Sequence, residues 1–378
     1  MNGMSSLAAA FLTPPLVVPT KKNAFNGSPT TVDQPTLWAT TKLHDELDDQ
    51  SGRNNQLQEP KPQSSSLPSC YSLCATLGVS PASNTMVKPS CPRPLVVGHR
   101  GALYEELENT LPAFLQCVEY GCDAVELDVF LLQDGNLVVF HGGGTDENPG
   151  DLTDYCVRPN YPSILDCETF LDTQDFVWNP EFAEFGCPKD KLVGAQIPLL
   201  RDVLLAIQER TKTMKVKIEL KGPGVTEPVL ELVQELGMED QCQYSSFDHS
   251  RIAKVRELHP ERDQEGKHIY QTGALFGLVH DVDTVIAQSQ KVGADEVHLK
   301  YDTCTKDTIE RIHQAGMSTM AWFRGPIGMV EDTTDLYHDV GNEDEAMYRV
   351  VMDSGVQQLC CNKPGELMRF LDKLDFDS

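Results

Sequence analysis

Lys215-Val216-Lys217-Ile218-Glu219-Leu220-Lys221 alternates strictly between charged and apolar side chains. Successive side chains of a strand point to opposite faces, so Val216, Ile218 and Leu220 share one face and Lys215, Lys217, Glu219 and Lys221 the other. Helix candidates on both sides of this run make it a central parallel strand, where an outward wet face is scarce. The charged face then looks into the protein, opposite the face that packs on helices. Cys122–Phe130 repeats the pattern, with Asp123, Val125, Leu127 and Val129 on one face and Cys122, Ala124, Glu126, Asp128 and Phe130 on the other.

Outward from these two runs, strand-like segments alternate with helical ones. The strand candidates are Leu95–His99, Ala124–Phe130, Leu137–His141, Val216–Leu220, Cys242–Phe247, Gly273–Leu278, Glu296–Tyr301, Thr319–Phe323 and Gln357–Cys361. Helices are expected at Leu111–Tyr120, Leu199–Arg210, Val225–Leu236, Ser250–Leu258, Asp283–Lys291, Lys306–Gln314 and Glu343–Asp353. Such alternation over residues 91–378 predicts an α/β fold, a (β/α)8 TIM barrel with a small insertion, residues 142–196, after the third strand. A doubly wound open sheet is the alternative, but no G-x-G-x-x-G follows the first strand. Nine strand candidates exceed eight staves. Asp134-Gly135 is a two-residue hairpin signal, so Leu137–His141 is expected to fold back on the preceding strand with His141 opposite Asp128.

In a barrel of this kind the C-terminal ends of the strands form the mouth where active sites are built. Glu126, Asp128 and Glu219 converge there, and three carboxylates without a counter-charge repel strongly. Hard oxygen ligands select one divalent cation, Mg²⁺ or Ca²⁺, over zinc. His99-Arg100-Gly101 ends the first strand, and a turn at Gly101 lets His99 and Arg100 reach one site. Arg100 offers a planar fork for a phosphate, and His99 and His141 titrate near neutrality. Paired His, Arg, Lys and a hard cation describe phosphodiester cleavage.

Composition limits the partners. Thirty-one basic against 57 acidic residues leave a net charge of −26, which opposes any general affinity for nucleic-acid backbone. No apolar run reaches the roughly 18–20 residues of a membrane span; Leu7–Val18 is short and broken by Pro14 and Pro15. Twelve scattered Cys without a repeating spacing point to reduced thiols and a cytoplasmic protein. Residues 1–90, rich in Ser, Thr, Pro, Asn and Gln, are expected to form a disordered N-terminal tail. Its first 32 residues hold no acid, so an organelle (plastid or mitochondrion) is the alternative destination. The insertion carries eleven acids against Arg158, Lys189 and Lys191, which should disfavour highly anionic substrates.

These motifs resemble the glycerophosphodiester phosphodiesterase family, phospholipase C-like phosphodiesterases on a TIM barrel. The matching text runs from Val97-Gly98-His99-Arg100-Gly101 through Glu108-Asn109-Thr110, Val125-Glu126-Leu127-Asp128-Val129 and Leu137-Val138-Val139-Phe140-His141. It continues through Ile197-Pro198-Leu199-Leu200, Ile218-Glu219-Leu220-Lys221, Ser246-Phe247 and Trp322 to Asn362-Lys363-Pro364. The resemblance implies a His99–His141 acid–base pair, Arg100 and Lys221 as phosphate contacts, and Glu126, Asp128 and Glu219 as metal ligands. It implies hydrolysis of glycerophosphodiesters to an alcohol and sn-glycerol 3-phosphate, through attack by a neighbouring glycerol hydroxyl and a cyclic phosphate. Trp322 is expected either to line the substrate site or to pack. Asn109 is expected to cap the first helix. Two departures stand out: His141 is followed by Gly142 where the family usually has Asp, and Trp322 by Phe323 where it commonly has Thr. A lysophospholipase D or phospholipase C-like activity on the same barrel, or a non-catalytic phosphate-ester-binding barrel, are the alternatives.

Overall fold

The computed structural model describes residues 92–145, 148–153, 155–157, 160–179, 187–277, 281–323, 343–374 and 376. The expected tail, 1–90, lies outside them, as do Asp146, Glu147, Asp154, Arg158, Glu181 and Glu184 of the insertion and Leu278 at the end of one strand candidate. In chain order the elements are β1 (Leu95–Gly98), α1 (Leu111–Tyr120), β2 (Ala124–Leu131), β3 (Leu137–Val139), β4 (Gly143–Thr145) and β5 (Asn148–Asp151). Then come α2 (Leu200–Arg210), β6 (Lys215–Leu220), α3 (Thr226–Leu236), β7 (Cys242–Ser246), α4 (His249–Leu258), β8 (Gln271–Phe276) and α5 (Val282–Lys291). The chain finishes with β9 (Glu296–Lys300), α6 (Lys306–Gln314), β10 (Ser318–Trp322), α7 (Glu345–Asp353), β11 (Gln358–Cys361) and α8 (Pro364–Leu371).

β1 pairs in parallel with both β2 and β11, which closes β1, β2, β6, β7, β8, β9, β10 and β11 into an eight-stranded parallel barrel. The fold is the (β/α)8 barrel that the alternation predicts, and the open sheet is excluded. Helix ends carry local reasons. Pro112 sits in the first turn of α1, and Gly121, at φ +69°, closes its last. Asp248, Asp281, Thr305 and Asp344 accept from backbone N–H groups at the starts of α4, α5, α6 and α7.

β3 is the ninth strand, antiparallel to β2 as expected, but its register differs by one residue. Val129 faces Val139 and Leu131 faces Leu137, and the Phe140 N–H, not that of His141, reaches the Asp128 carbonyl. The loop has three residues, not two: the Leu132 and Gly135 N–H groups bond to Asn136 O and Leu132 O, and Gly135 takes φ +86°. A turn followed by a left-handed glycine is the three-residue hairpin, which moves the centre onto Asp134. Phe170 N and Asn136 N both donate to the Asp134 carboxylate and hold that turn.

The main apolar core lies between barrel and helices and takes in Val216, Ile218 and Leu220 from the helix-packing face of β6. A second core, built from Phe130, Val138, Phe140, Leu152, Tyr155, Ile164 and Trp178, seats the described part of the insertion on the β2–β3 hairpin. Inside the barrel, toward the N-terminal ends of the strands, Lys217 is 2% exposed. Its Nζ lies 2.7 Å from Glu296 Oε2 and 2.7 Å from Gln243 Oε1. Glu296 also accepts from His298 Nε2 at 2.8 Å and Gln358 Nε2 at 3.0 Å. A buried ion pair with its remaining lone pairs satisfied is the arrangement that offsets desolvation.

Candidate active site

The other end of the barrel gathers the sequence-predicted residues. β1 delivers His99 and Arg100, and the chain turns at Arg100 itself, φ +53°, as well as at Gly101, φ +85°. A non-glycine residue there is strained by roughly 1–3 kcal/mol, and Asn109 carries the same strain at φ +54°. Both backbones are held from the site: Arg100 N donates to Glu126 Oε2 at 2.9 Å, and Asn109 N to the Arg100 carbonyl at 3.0 Å. Asn109 does not cap α1, whose first flanking residue is Thr110. Its side chain instead donates to Asp128 Oδ2 at 2.8 Å and accepts from Asp128 N at 3.2 Å.

Asp128 and Glu219 are direct partners across the β2–β6 pair. With Glu126 they form a cluster in which one carboxylate oxygen from each lies within 4.8 Å of the others. Glu126 is 5% and Asp128 1% exposed. Burial first, then the Asp128 and Glu219 charges, raise the Glu126 carboxyl well above its ordinary range. Glu219 is raised too, by burial against the opposing pull of Lys221. A fourth acid, Glu108, accepts from Arg100 at 3.0 and 3.2 Å, and its carboxyl is pushed up to about 7 by burial against the Arg100 charge. Two fixed cations enter the cluster: Arg100 Nε lies 3.6 Å from Asp128, and Lys221 Nζ lies 3.5 Å from Asp128 and 3.6 Å from Glu219. Ionised together, the four carboxylates would exceed the two cations by two charges, a form that a divalent ion would stabilise. Asp128 Oδ1 is buried and takes no hydrogen bond among the described residues, as a ligand atom would. The donor set, all oxygen, fits Mg²⁺ or Ca²⁺.

A cavity of about 390 Å³ opens over this cluster. His99, Arg100, Glu126, His141, Glu219 and Lys300 form its polar side, and Phe247, Leu275, Met320 and Trp322 its apolar side. Lys221 stays within the carboxylate cluster, off the cavity wall, while Lys300, whose ammonium is paired with Asp302 at 2.8 Å, lines it. Trp322 packs edge-on to Phe247 with centroids 5.8 Å apart, and its Nε1 is buried without a hydrogen-bond partner among the described residues. No described residue of the insertion is among those lining the cavity, so none of its described acids stands on that wall.

His99 Nδ1 lies 2.7 Å from Asn362 Oδ1, and its Nε2 4.0 Å from Glu126 Oε2. Burial, followed by the Arg100 charge, pushes its pKa down to about 3. His141 is also held well below its ordinary value, by burial and then by Arg100 and Lys221. Both rings are therefore neutral near pH 7. The hairpin places Phe140 opposite Asp128, yet β3 ends at Val139 and the chain bends at Gly142, φ +66°, which brings His141 to the cavity. A Cβ on Gly142 would lie 2.5 Å from Gly150 Cα, so the residue after His141 has no room for Asp. The Tyr155 hydroxyl, from the insertion, lies 3.2 Å from His141 Nδ1. Sequence reasoning gave Glu108, Tyr155, Lys300 and Glu343 no role; Glu108 and Asn362 stood in quoted motifs, while Tyr155 carried no signal.

The model of the glycerophosphoryl diester phosphodiesterase family matches residues 99–324. A glycerophosphodiester phosphodiesterase of Caldanaerobacter subterraneus subsp. tengcongensis is 30% identical over 235 residues, 60% of this chain and 84% of the relative. One from Bacillus altitudinis is 28% identical over 223 residues, 58% of this chain and 81% of the relative. A crystal structure from Galdieria sulphuraria is 25% identical with TM-score 0.59, over 75% of this chain and 99% of that one. The family match begins at His99 and spans the strands that carry the carboxylate cluster, and a relative at 30% identity is matched over most of its length. On that ground the chain belongs to the glycerophosphoryl diester phosphodiesterase family.

Proposed function

We propose that the protein hydrolyses glycerophosphodiesters to an alcohol and sn-glycerol 3-phosphate, in glycerophospholipid metabolism, with one divalent cation held by Glu126, Asp128 and Glu219. The carrying observation is one cavity in which a buried cluster of three carboxylates at metal-binding spacing meets two imidazoles and Arg100. A bound dication there supplies Lewis acidity to a phosphoryl oxygen. Arg100 presents its guanidinium to the phosphate, with Glu108 and Asp128 holding the fork in place. Lys221 balances the carboxylates. His99 and His141 move protons to and from the reacting oxygens, one ring taking a proton while the other, protonated, gives one. Trp322 bounds the space for the alcohol.

Release of sn-glycerol 3-phosphate from glycerophosphocholine by the full chain, with Mg²⁺, Ca²⁺ or EDTA, tests this. Metal-dependent release, abolished in EDTA and reduced by about 10²–10⁴ in His141→Ala, is the expected result. Equal turnover in EDTA would overturn the metal assignment, and unchanged turnover in His141→Ala the role of that ring.

A second reading, lysophospholipase D activity, is favoured by the apolar side of the cavity, where Phe247 is 42% exposed. The lysophospholipase D of Rattus norvegicus is 30% identical over 145 residues, and the chain spans about 40% of its length. Comparing lysophosphatidylcholine with glycerophosphocholine at equal concentration separates the two. No helix among the described residues is long and apolar enough to cross a membrane. A cytoplasmic location is the reading that the cysteine usage supports, with the N-terminal segment as the route to an organelle; imaging of a C-terminally tagged chain decides between them.

A further inference from the structure

Glu343 is 1% exposed, lies behind the cavity wall and takes no part in the chemistry above. Every hydrogen bond it makes with a described group is one it accepts. Tyr348 Oη donates at 2.7 Å, the Asn362 and Lys363 backbone N–H groups at 2.9 and 3.1 Å, and Asn362 Nδ2 at 2.8 Å. An asparagine amide has two ends of equal shape and opposite polarity, and its neighbours decide which way it points. With Nδ2 committed to a carboxylate, Oδ1 is the end that faces His99 Nδ1, at 2.7 Å. Oδ1 only accepts, so the hydrogen lies on Nδ1. A neutral imidazole has one N–H, which leaves a lone pair on Nε2, the nitrogen on the Glu126 side of the ring.

We propose that Glu343 is a positioning residue that, through the Asn362 amide, fixes His99 as the Nδ1–H tautomer and so makes it the base of the first step. This rests on the diester hydrolysis proposed above. In that step His99 Nε2 takes the proton of the attacking hydroxyl as its oxygen bonds to phosphorus and the bond to the alcohol oxygen breaks. The leaving oxygen receives its proton from His141, which enters the step as an imidazolium after taking a proton from solvent as the anionic diester binds. When water later opens the cyclic phosphate, His141 takes the water's proton and His99 returns its own to the glycerol oxygen, which restores both rings. Burial pushes the Glu343 carboxyl up to about 7 against the bonds from Tyr348, Lys363 and Asn362, and in its ionised form it stabilises the His99 imidazolium through the polarised amide, as the third member of a catalytic triad does.

The test reads the tautomer directly, by long-range ¹H–¹⁵N correlation of the His99 ring in the full-length protein, and reads kcat and KM separately. Wild type should show the Nδ1–H pattern. Glu343→Gln, which can present either end to the amide, should show a mixed or Nε2–H pattern, with kcat down roughly tenfold to a hundredfold and KM within about twofold. Asn362→Asp sets two carboxylates face to face and should lose more. The double variant Glu343→Gln/Asn362→Asp exchanges donor and acceptor and should recover both the pattern and kcat relative to Asn362→Asp alone. An Nε2–H pattern in wild type overturns the proposal whatever the enzyme hydrolyses, and wild-type kcat in Glu343→Gln overturns the role of Glu343. Absence of diester hydrolysis with the Nδ1–H pattern in place sinks the reaction and spares the geometry. Should Glu343→Gln fail to fold, wild type and the double variant decide.

Discussion

Glu126 is the residue where the demands of the metal and of the fold conflict most. Burial and the Asp128 and Glu219 charges hold its carboxyl well above the ordinary range, so its ionised form is a liability whenever no dication is bound. Glu126→Gln keeps an acceptor for Arg100 N and removes the charge. Its metal-free melting temperature should match or exceed that of wild type, by ~2–4 °C for each kcal/mol gained, while the shift on adding Mg²⁺ or Ca²⁺ is lost. Scanning calorimetry with and without the ion checks both, and a retained metal shift would remove Glu126 from the ligand set. Glu126, Asp128 and Glu219 were legible because strand alternation alone puts them on one face. Glu108, Asn109 and Glu343 were not. Their places depend on left-handed backbones at Arg100 and Asn109 and on a contact between residues 263 apart in the chain, neither of which alternation encodes.

At the scale of elements, all nine strand runs and the seven expected helices are present, most within a residue or two of their expected limits, because the 2-residue and 3.6-residue periods are properties of short segments. α8 was missed, and so was the one-residue register of β3, which turn geometry sets. That hairpin carries a prediction. Just past its second strand, Gly142, the residue before β4, lies so close to Gly150 of β5 that a side chain at 142 would have to displace backbone, in a conformation L residues avoid. Gly142→Ala should lose about 1–3 kcal/mol in urea unfolding and lower kcat by displacing His141 from Tyr155. An unfolding midpoint and kcat equal to wild type would show that the hairpin yields at no cost. The Asp that the family usually carries here is thus excluded by the packing of this chain's own insertion.

For the whole molecule, the polar plug at the opposite end of the barrel sets acid stability. Burial alone would raise the Glu296 carboxyl, but the Lys217 charge and the bonds from His298 and Lys217 outweigh it and hold it well below its ordinary value. A carboxyl depressed in the folded state contributes stability above its unfolded pKa, near 4.5, which is lost as pH falls further. His298, lowered by burial, adds a loss that begins below its unfolded value near 6.5. Glu296→Gln should therefore cost about 3–5 kcal/mol at neutral pH, by leaving the Lys217 charge buried without its counter-ion, and should flatten the fall below about pH 4.5. Parallel stability-against-pH curves for variant and wild type would refute the assignment. A different consequence follows from the closure of β1 on β11. On the ribosome His99 emerges 263 residues ahead of Asn362, an interval on the order of tens of seconds at typical elongation rates. Through that interval the first strand has no neighbour on one side, and a nascent chain has no fixed proton acceptor. On the mechanism proposed above, hydrolytic competence therefore waits for β11, the strand that closes the barrel.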